Sequence, residues 1–208
     1  MNSKIEKENI LFVEGKDEKN FFDALLKRLD ITDVQIIDVS GKDNFQTHFS
    51  AYMQTERALS RIKNMGFVRD AEKNEANSAF QSICSVLKKY GLACPSELCK
   101  PVEQDKKKIS IFIMPNNNDC GMLEDLCIKA IQGSGIFNCV ESFIQCYEGK
   151  IEKDKYNKSK ASILAYLSAQ VPIVYSLGNA AQQSVFDFSH PCFDSIKKFL
   201  IELYKSSS

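Results

Sequence analysis

Ile10-Leu11-Phe12-Val13-Glu14-Gly15-Lys16-Asp17-Glu18 is the stretch on which the fold turns. Four apolar residues follow one another without a polar interruption, which suits a strand covered on both faces. Glu14-Gly15 ends that run, and the period then changes. Phe21, Phe22, Leu25, Leu26 and Leu29 recur at three- and four-residue spacing, the apolar stripe of an amphipathic helix. A buried strand that passes directly into a helix is the opening unit of a crossover-connected, parallel sheet.

The same alternation continues along the chain. Strands are predicted at residues 10–14, 34–39, 66–70, 109–114 and 172–175. Helices are predicted at about 16–29, 44–62, 75–90, 121–131, 156–170 and 192–204. Right-handed crossovers then give a Rossmann-like α/β domain, a mostly parallel central sheet with helices on both faces. With 208 residues, 9 Gly, 5 Pro and no low-complexity segment or repeat, the chain reads as a single unit, residues 1–208.

Composition narrows the function. Lys+Arg 27 balances Asp+Glu 27, which excludes a globally basic nucleic-acid coat and leaves room only for local basic patches. Apolar runs such as 109–114 fall far short of the roughly 18 residues a bilayer span requires. The first residues carry charge rather than a secretory apolar core, so a cytoplasmic protein with no membrane association is expected. Eight cysteines, Cys84, Cys94, Cys99, Cys120, Cys127, Cys139, Cys146 and Cys192, include no C-x-x-C pair and accompany two histidines. In a reducing compartment they are expected to be free, small apolar residues rather than zinc ligands or a disulfide framework.

In such sheets ligands lie beyond the carboxyl ends of the strands, and there the sequence places carboxylates. The first strand stops at Glu14-Gly15, the third at Asp70-Ala71-Glu72, and the fourth leads through Met114-Pro115 and an Asn-rich loop into Gly121-Met122-Leu123-Glu124-Asp125-Leu126. Helical spacing puts Glu18 on the core-facing stripe and Asp17 on its flank, and prefers Glu124 to Asp125 in the same way. In the late helix, Tyr156, Lys160, Leu164, Leu167 and Val171 form a stripe that would turn Lys160 inward and Lys158 outward. Carboxylates gathered at one crevice make a hard-oxygen site of the kind Mg²⁺ prefers, and a nearby ammonium suits a phosphate. Taken singly, each residue also fits a helix cap, a dipole partner or a snorkelling side chain. Their convergence on one crevice favours function. Gly15, Lys42 in Gly41-Lys42-Asp43-Asn44, and Asn116 and Asn117 in the loop after the fourth strand are the expected substrate contacts, although ordinary turns account for these stretches equally well.

Val13-Glu14-Gly15-Lys16-Asp17-Glu18 and Val68-Arg69-Asp70-Ala71-Glu72 resemble the two signatures of the TOPRIM (topoisomerase-primase) domain, with Glu72 in place of the second aspartate of its Asp-x-Asp. Together with Met114-Pro115, Gly121–Leu126 and the closing Phe186-Asp187-Phe188-Ser189-His190-Pro191, the chain is similar to small stand-alone TOPRIM-like proteins of bacteria and archaea. More distantly it resembles the TOPRIM half of the OLD (overcoming lysogenisation defect) nucleases. The resemblance implies a TOPRIM-like domain with a C-terminal helical extension. It further implies metal ligands at Glu14, Glu18, Asp70, Glu72 and Glu124, and catalytic roles for Glu14, Asp70, Glu72 and Lys160. Mg²⁺ or Mn²⁺ is the implied cofactor, DNA or RNA the implied partner, and phage defence or nucleic-acid processing the implied setting. The chain lacks a G-x-x-x-x-G-K-[ST] loop, so an ATPase would have to be a separate protein partner. Hydrolysis of a phosphodiester is the simplest reaction compatible with 208 residues. A non-catalytic or partner-dependent nucleic-acid or nucleotide-binding module is the other reading the residues allow.

Overall fold

The computed structural model describes residues 4–41, 44–53, 60–148, 150 and 156–205, and in it the alternating periods become alternating elements. β1 (Asn9–Val13) leads into α1 (Lys16–Arg28), β2 (Val34–Asp38) into α2 (Phe45–Met53), and β3 (Asn64–Asp70) into α3 (Ala76–Lys89). A short β4 (Val102–Gln104) then turns back into β5 (Lys107–Met114). After β5 the described chain is helical: α4 (Leu123–Ile131), α5 (Gly135–Glu148), α6 (Lys158–Ser168), α7 (Leu177–Gln182), a 3₁₀ turn at Pro191–Phe193, and α8 (Asp194–Tyr204).

The five strands form one sheet in the order β2-β1-β3-β5-β4. β1 pairs in parallel with β2 and β3, β3 pairs in parallel with β5, and only the β4 edge is antiparallel. Strand side chains alternate between two cores. Leu11, Val13, Val68, Phe112 and Met114 face the larger core with α1 and the helices from α4 to α8. Ile10, Phe12, Met65, Phe67, Ile109, Ile111 and Ile113 face the core built with α2 and α3. Both faces are therefore dry, which is why the strands read as unbroken apolar runs. α8 is fastened to the sheet where Gly66 leaves bare backbone: Tyr204 Oη donates to the Ile10 carbonyl at 2.7 Å, and a Cβ on Gly66 would come within 2.6 Å of that oxygen.

Three expectations are corrected. Residues 172–175 are not a strand. Pro172 has no N–H for a ladder, and Val171, Ile173 and Tyr175 stand 98%, 53% and 80% exposed. The edge is taken instead by β4, joined to β5 through Asp105 and Lys106, both in the left-handed region (φ 50° and 63°) that a tight hairpin turn demands. The inward stripe expected of α6 also fails, because its buried residues are Ser162, Ile163, Tyr166 and Leu167, while Leu164 is 55% exposed. Last, Cys84 of α3 and Cys94 are joined as a disulfide, their Cα atoms 5.2 Å apart, rather than both being free thiols. Helices α5 and α7 were not anticipated. No helix among the described residues is long and apolar enough to cross a membrane.

Candidate functional site

The topology creates the crevice. α1 leaves β1 toward one face of the sheet and α3 leaves the adjacent β3 toward the other. Between the carboxyl ends of these two strands the backbone therefore diverges, the switch point at which open α/β sheets bind ligands. Glu14 follows β1 and Asp70 ends β3, so both signatures open onto this gap.

Glu14 is fixed from the β3 side. Its Oε1 accepts the Asp70 backbone N–H at 3.2 Å and lies 3.5 Å from Arg69 Nε. Arg69 is itself tethered to α3, its Nη1 donating to Ser82 Oγ at 3.0 Å. The Asp70 side chain points the other way, toward the chain leaving β5: its Oδ1 accepts the Leu123 N–H at 3.1 Å, at the first turn of α4. That turn also carries Glu124. Glu18 is brought in by α1, and the absence of a side chain at Gly15 makes room for it. A Cβ there would lie 2.9 Å from Glu18 Oε2.

These carboxylates sense one another. Burial, followed by the charges of Glu14, Glu18 and Glu124, holds the Asp70 carboxyl well above the usual aspartate range. Glu18 is raised by burial and then by Glu124, Glu14 and Asp17. Glu124 is raised by burial too, while Lys160 pulls it back down, the ammonium standing 3.8 Å from Glu124 Oε1. Lys160 reaches this position from the exposed side of α6, not from an inward stripe. An open cleft of about 460 Å³ lies on the Glu18 and Glu124 side of the cluster, lined by Lys16, Asp17, Glu18, Asn20, Glu124, Lys160, Ser176 and Asn179.

The remaining expected residues are placed as follows. Glu72 sits two residues beyond Asp70 with φ 56°. Its backbone N–H and carbonyl each bond Gly121, both at 2.8 Å, latching the loop after β3 to the loop after β5. Asp125 serves as the cap of α4, accepting the Met122 N–H at 2.7 Å and a hydrogen bond from Ser159 Oγ that ties in α6. Asn117 is consumed by its own loop: Oδ1 accepts the Ile113 N–H at 2.6 Å and Nδ2 donates to Cys99 Sγ at 3.0 Å. Asn116 accepts from the N–H groups of Asn118 and Asp119 and donates to Asp119, so both asparagines act as turn formers here. Lys42 lies outside the described residues.

Sequence reasoning missed Arg69, Lys16, Asn20, Ser176 and Asn179. Arg69 stands next to the signature and pairs with the half-buried Glu14. Ser176 and Asn179 belong to α7, which docks on α1 through Gly178, where an added Cβ would strike Asn20 Cβ at 2.6 Å. A contact across 161 residues, such as the Gly178 N–H on Asp17 Oδ1 at 3.2 Å, leaves no local trace in sequence.

Among the described residues no three His, Cys, Asp or Glu side chains stand as a ready-made metal cage. The donor set is nonetheless of the chemistry a hard divalent cation takes, oxygen atoms from several carboxylates whose negative charges raise one another's proton affinity.

The chain belongs to the family described as Protein of unknown function (DUF3226), whose model matches residues 8–205. No curated protein matches the sequence. Among solved structures, a hypothetical protein from Pyrococcus horikoshii OT3 is similar in fold, with TM-score 0.53 and 17% identity over 95% of each chain. The C-terminal region of the Burkholderia pseudomallei OLD protein is more distant, with TM-score 0.42 and 16% identity, covering 87% of this chain and 98% of that one.

Proposed function

We propose that this DUF3226 protein is a metal-dependent phosphodiester hydrolase acting on nucleic acid. The observation that carries the reading is the convergence of Glu14, Glu18, Asp70 and Glu124, drawn from four separate elements or their ends, on the switch point of the sheet, where burial and then neighbouring carboxylates raise the proton affinity of Glu18, Asp70 and Glu124. Burial is the largest cause of these shifts and the neighbouring negative charges add to it; the field that disfavours ionisation also attracts a divalent ion.

In this reading Glu14, Glu18, Asp70 and Glu124 hold Mg²⁺ or Mn²⁺, with Glu72 at the margin. The metal, when bound, supplies Lewis-acid polarisation of the phosphodiester and activation of water. The chain's own groups do the rest. Arg69 and the Asp70 amide fix one oxygen of Glu14. The Leu123 amide holds Asp70 Oδ1, leaving its second oxygen for the crevice. Lys160, beside Glu124 in the cleft, offsets charge on the scissile phosphate. In the alternative assignment Glu14 is not a metal ligand but the general acid/base that exchanges a proton with the reacting oxygen. An ATPase or other protein partner, and a role in phage defence, are further parts of the proposal that the geometry of the site does not address.

The test is calorimetric titration of Mg²⁺ and Mn²⁺ into the protein and into Asp70→Ala, alongside cleavage of labelled single-stranded and duplex DNA and RNA. Metal-dependent cleavage lost in a folded Asp70→Ala variant is expected. Metal binding without cleavage would move the assignment to the non-catalytic module, and no metal binding would overturn both.

A further inference from the structure

The cleft beside the carboxylates has a second wall that the metal reading leaves unexplained. Residues 171–175 join α6 to α7, bending at Val171 and Pro172. Val174 is buried and its N–H bonds the Leu167 carbonyl at 3.2 Å, anchoring the strap. Around it Val171, Pro172, Ile173 and Tyr175 are exposed, Val171, Ile173 and Tyr175 by 98%, 53% and 80%. Tyr175 directly precedes Ser176, which lines the cleft. Leaving these apolar side chains bare, with Tyr175 next to a polar cleft, costs solvation unless something covers them.

The cleft itself indicates what does. Lys16 and Lys160 are its two cations, set among Asp17, Glu18 and Glu124, of which the two glutamates take the metal in the reading above. Lys16 is exposed at the start of α1 and has no ion-pair partner among the described residues, and Lys160 is 56% exposed in its side chain. Ser176, Asn20 and Asn179 add neutral polar groups, and the volume of about 460 Å³ falls in the range of small-ligand sites. Ammoniums for a phosphate beside an exposed ring and apolar rim match one nucleotide of a single strand: backbone in the cleft, base on the strap. A duplex cannot satisfy the rim, because its bases are already stacked on each other.

We propose that Tyr175, with Ile173 beside it, is a stacking platform that selects single-stranded nucleic acid and sets the nucleotide bound next to the carboxylate cluster. The proposal rests on the reading of the site as a nucleic-acid hydrolase, and it also stands as a binding claim that is tested separately.

The experiment measures binding of fluorescent single-stranded and duplex oligonucleotides of the same sequence to Asp70→Asn, chosen to bind without cleaving. The same titrations are made with Asp70→Asn/Tyr175→Ala and Asp70→Asn/Tyr175→Phe. Single-strand binding is expected to weaken about five- to a hundredfold in the Ala variant and to survive in the Phe variant, with duplex binding unchanged. In the otherwise wild-type protein, Tyr175→Ala should raise KM for single strands while kcat holds. Cleavage by the wild type with KM unmoved in Tyr175→Ala overturns the platform and leaves the hydrolase reading intact. Ring-dependent binding without wild-type cleavage keeps the platform and removes the hydrolase. No single-strand binding, or equal loss in the Ala and Phe variants, overturns the platform and turns the strap into a candidate protein-docking edge.

Discussion

Replacing Asp70 by Asn should stabilise this protein at neutral pH, an unusual outcome for a partly buried residue with a defined partner. The sign follows from linkage. The folded state holds the Asp70 carboxyl well above its ordinary value of 3.8, through burial and the charges of Glu14, Glu18 and Glu124. Between that ordinary value and the raised one, folded Asp70 retains a proton that the unfolded chain has released. Unfolding free energy therefore falls as pH rises through the window, and it stays reduced above it. Each pH unit of separation is worth about 1.4 kcal/mol. Removal of the charge returns the free energy of that separation, and each kcal/mol returned lifts Tm by roughly 2 to 4 °C in a chain of this size. The amide oxygen of Asn keeps the acceptor that Leu123 N–H uses at 3.1 Å, so no hydrogen bond is lost. Urea unfolding of wild type and Asp70→Asn in chelator, followed across the acidic to neutral range, measures the effect. The two curves should converge below the ordinary aspartate value and separate as pH rises. A variant less stable than wild type at neutral pH, or a difference that ignores pH, refutes the reasoning. Divalent cation should narrow the gap, because it binds the folded wild type and stabilises it by mass action.

Three further outcomes are expected. Gly15→Ala places a methyl 2.9 Å from Glu18 Oε2, so it should lower Mn²⁺ affinity about tenfold while circular dichroism stays unchanged; unaltered affinity would remove Glu18 from the site. Gly66→Ala drives a Cβ to 2.6 Å from Tyr204 Oη and 2.8 Å from Leu11 Cδ1, and should cost about 1–3 kcal/mol in chemical denaturation. Tyr204→Phe should cost about 1 kcal/mol by removing the 2.7 Å bond to the Ile10 carbonyl, with no effect on metal titrations because α8 lies away from the carboxylates.

Much of this arrangement was legible because the informative signals are local. The run from Ile10 to Val13 and the change of period at Lys16 specify a buried strand and its helix, and a buried strand has a carboxyl end with a residue just beyond it. Glu14 and Asp70 are read from such strand ends, and Glu18 and Glu124 from helical spacing in the elements that follow. What failed depended on distance or on competing patterns. Lys160 was placed inward through a stripe including Leu164 and Val171, but the core chose Ile163, Tyr166 and Leu167, a face one residue over. Residues 172–175 have the branched and aromatic composition of a strand, yet Pro172 and the prior claim of β4 on the sheet edge leave them outside it. α5 carries Phe137, Val140 and Ile144 at helical spacing, but Gly133-Ser134-Gly135 before it and polar residues between made the segment read as connection. The Cys84–Cys94 bond depends on how the chain returns after α3, which spacing alone does not encode.

The adjacency of β1, β3 and β5 has an evolutionary corollary. Neighbouring strands in a sheet stand about 4.8 Å apart, and β3 is locked to β5 through seven paired residues from Asn64 to Asp70. The separation of groups mounted on those strand ends is therefore inherited from the pitch of the backbone ladder, and no point substitution resets it. Chemistry and spacing are free to change independently: a lineage can exchange Asp for Glu, add a lysine or discharge a carboxylate while the ruler beneath stays fixed. A shared architecture at 17% identity is the kind of relationship such a ruler permits, and kinship of fold across it carries no promise of kinship in substrate.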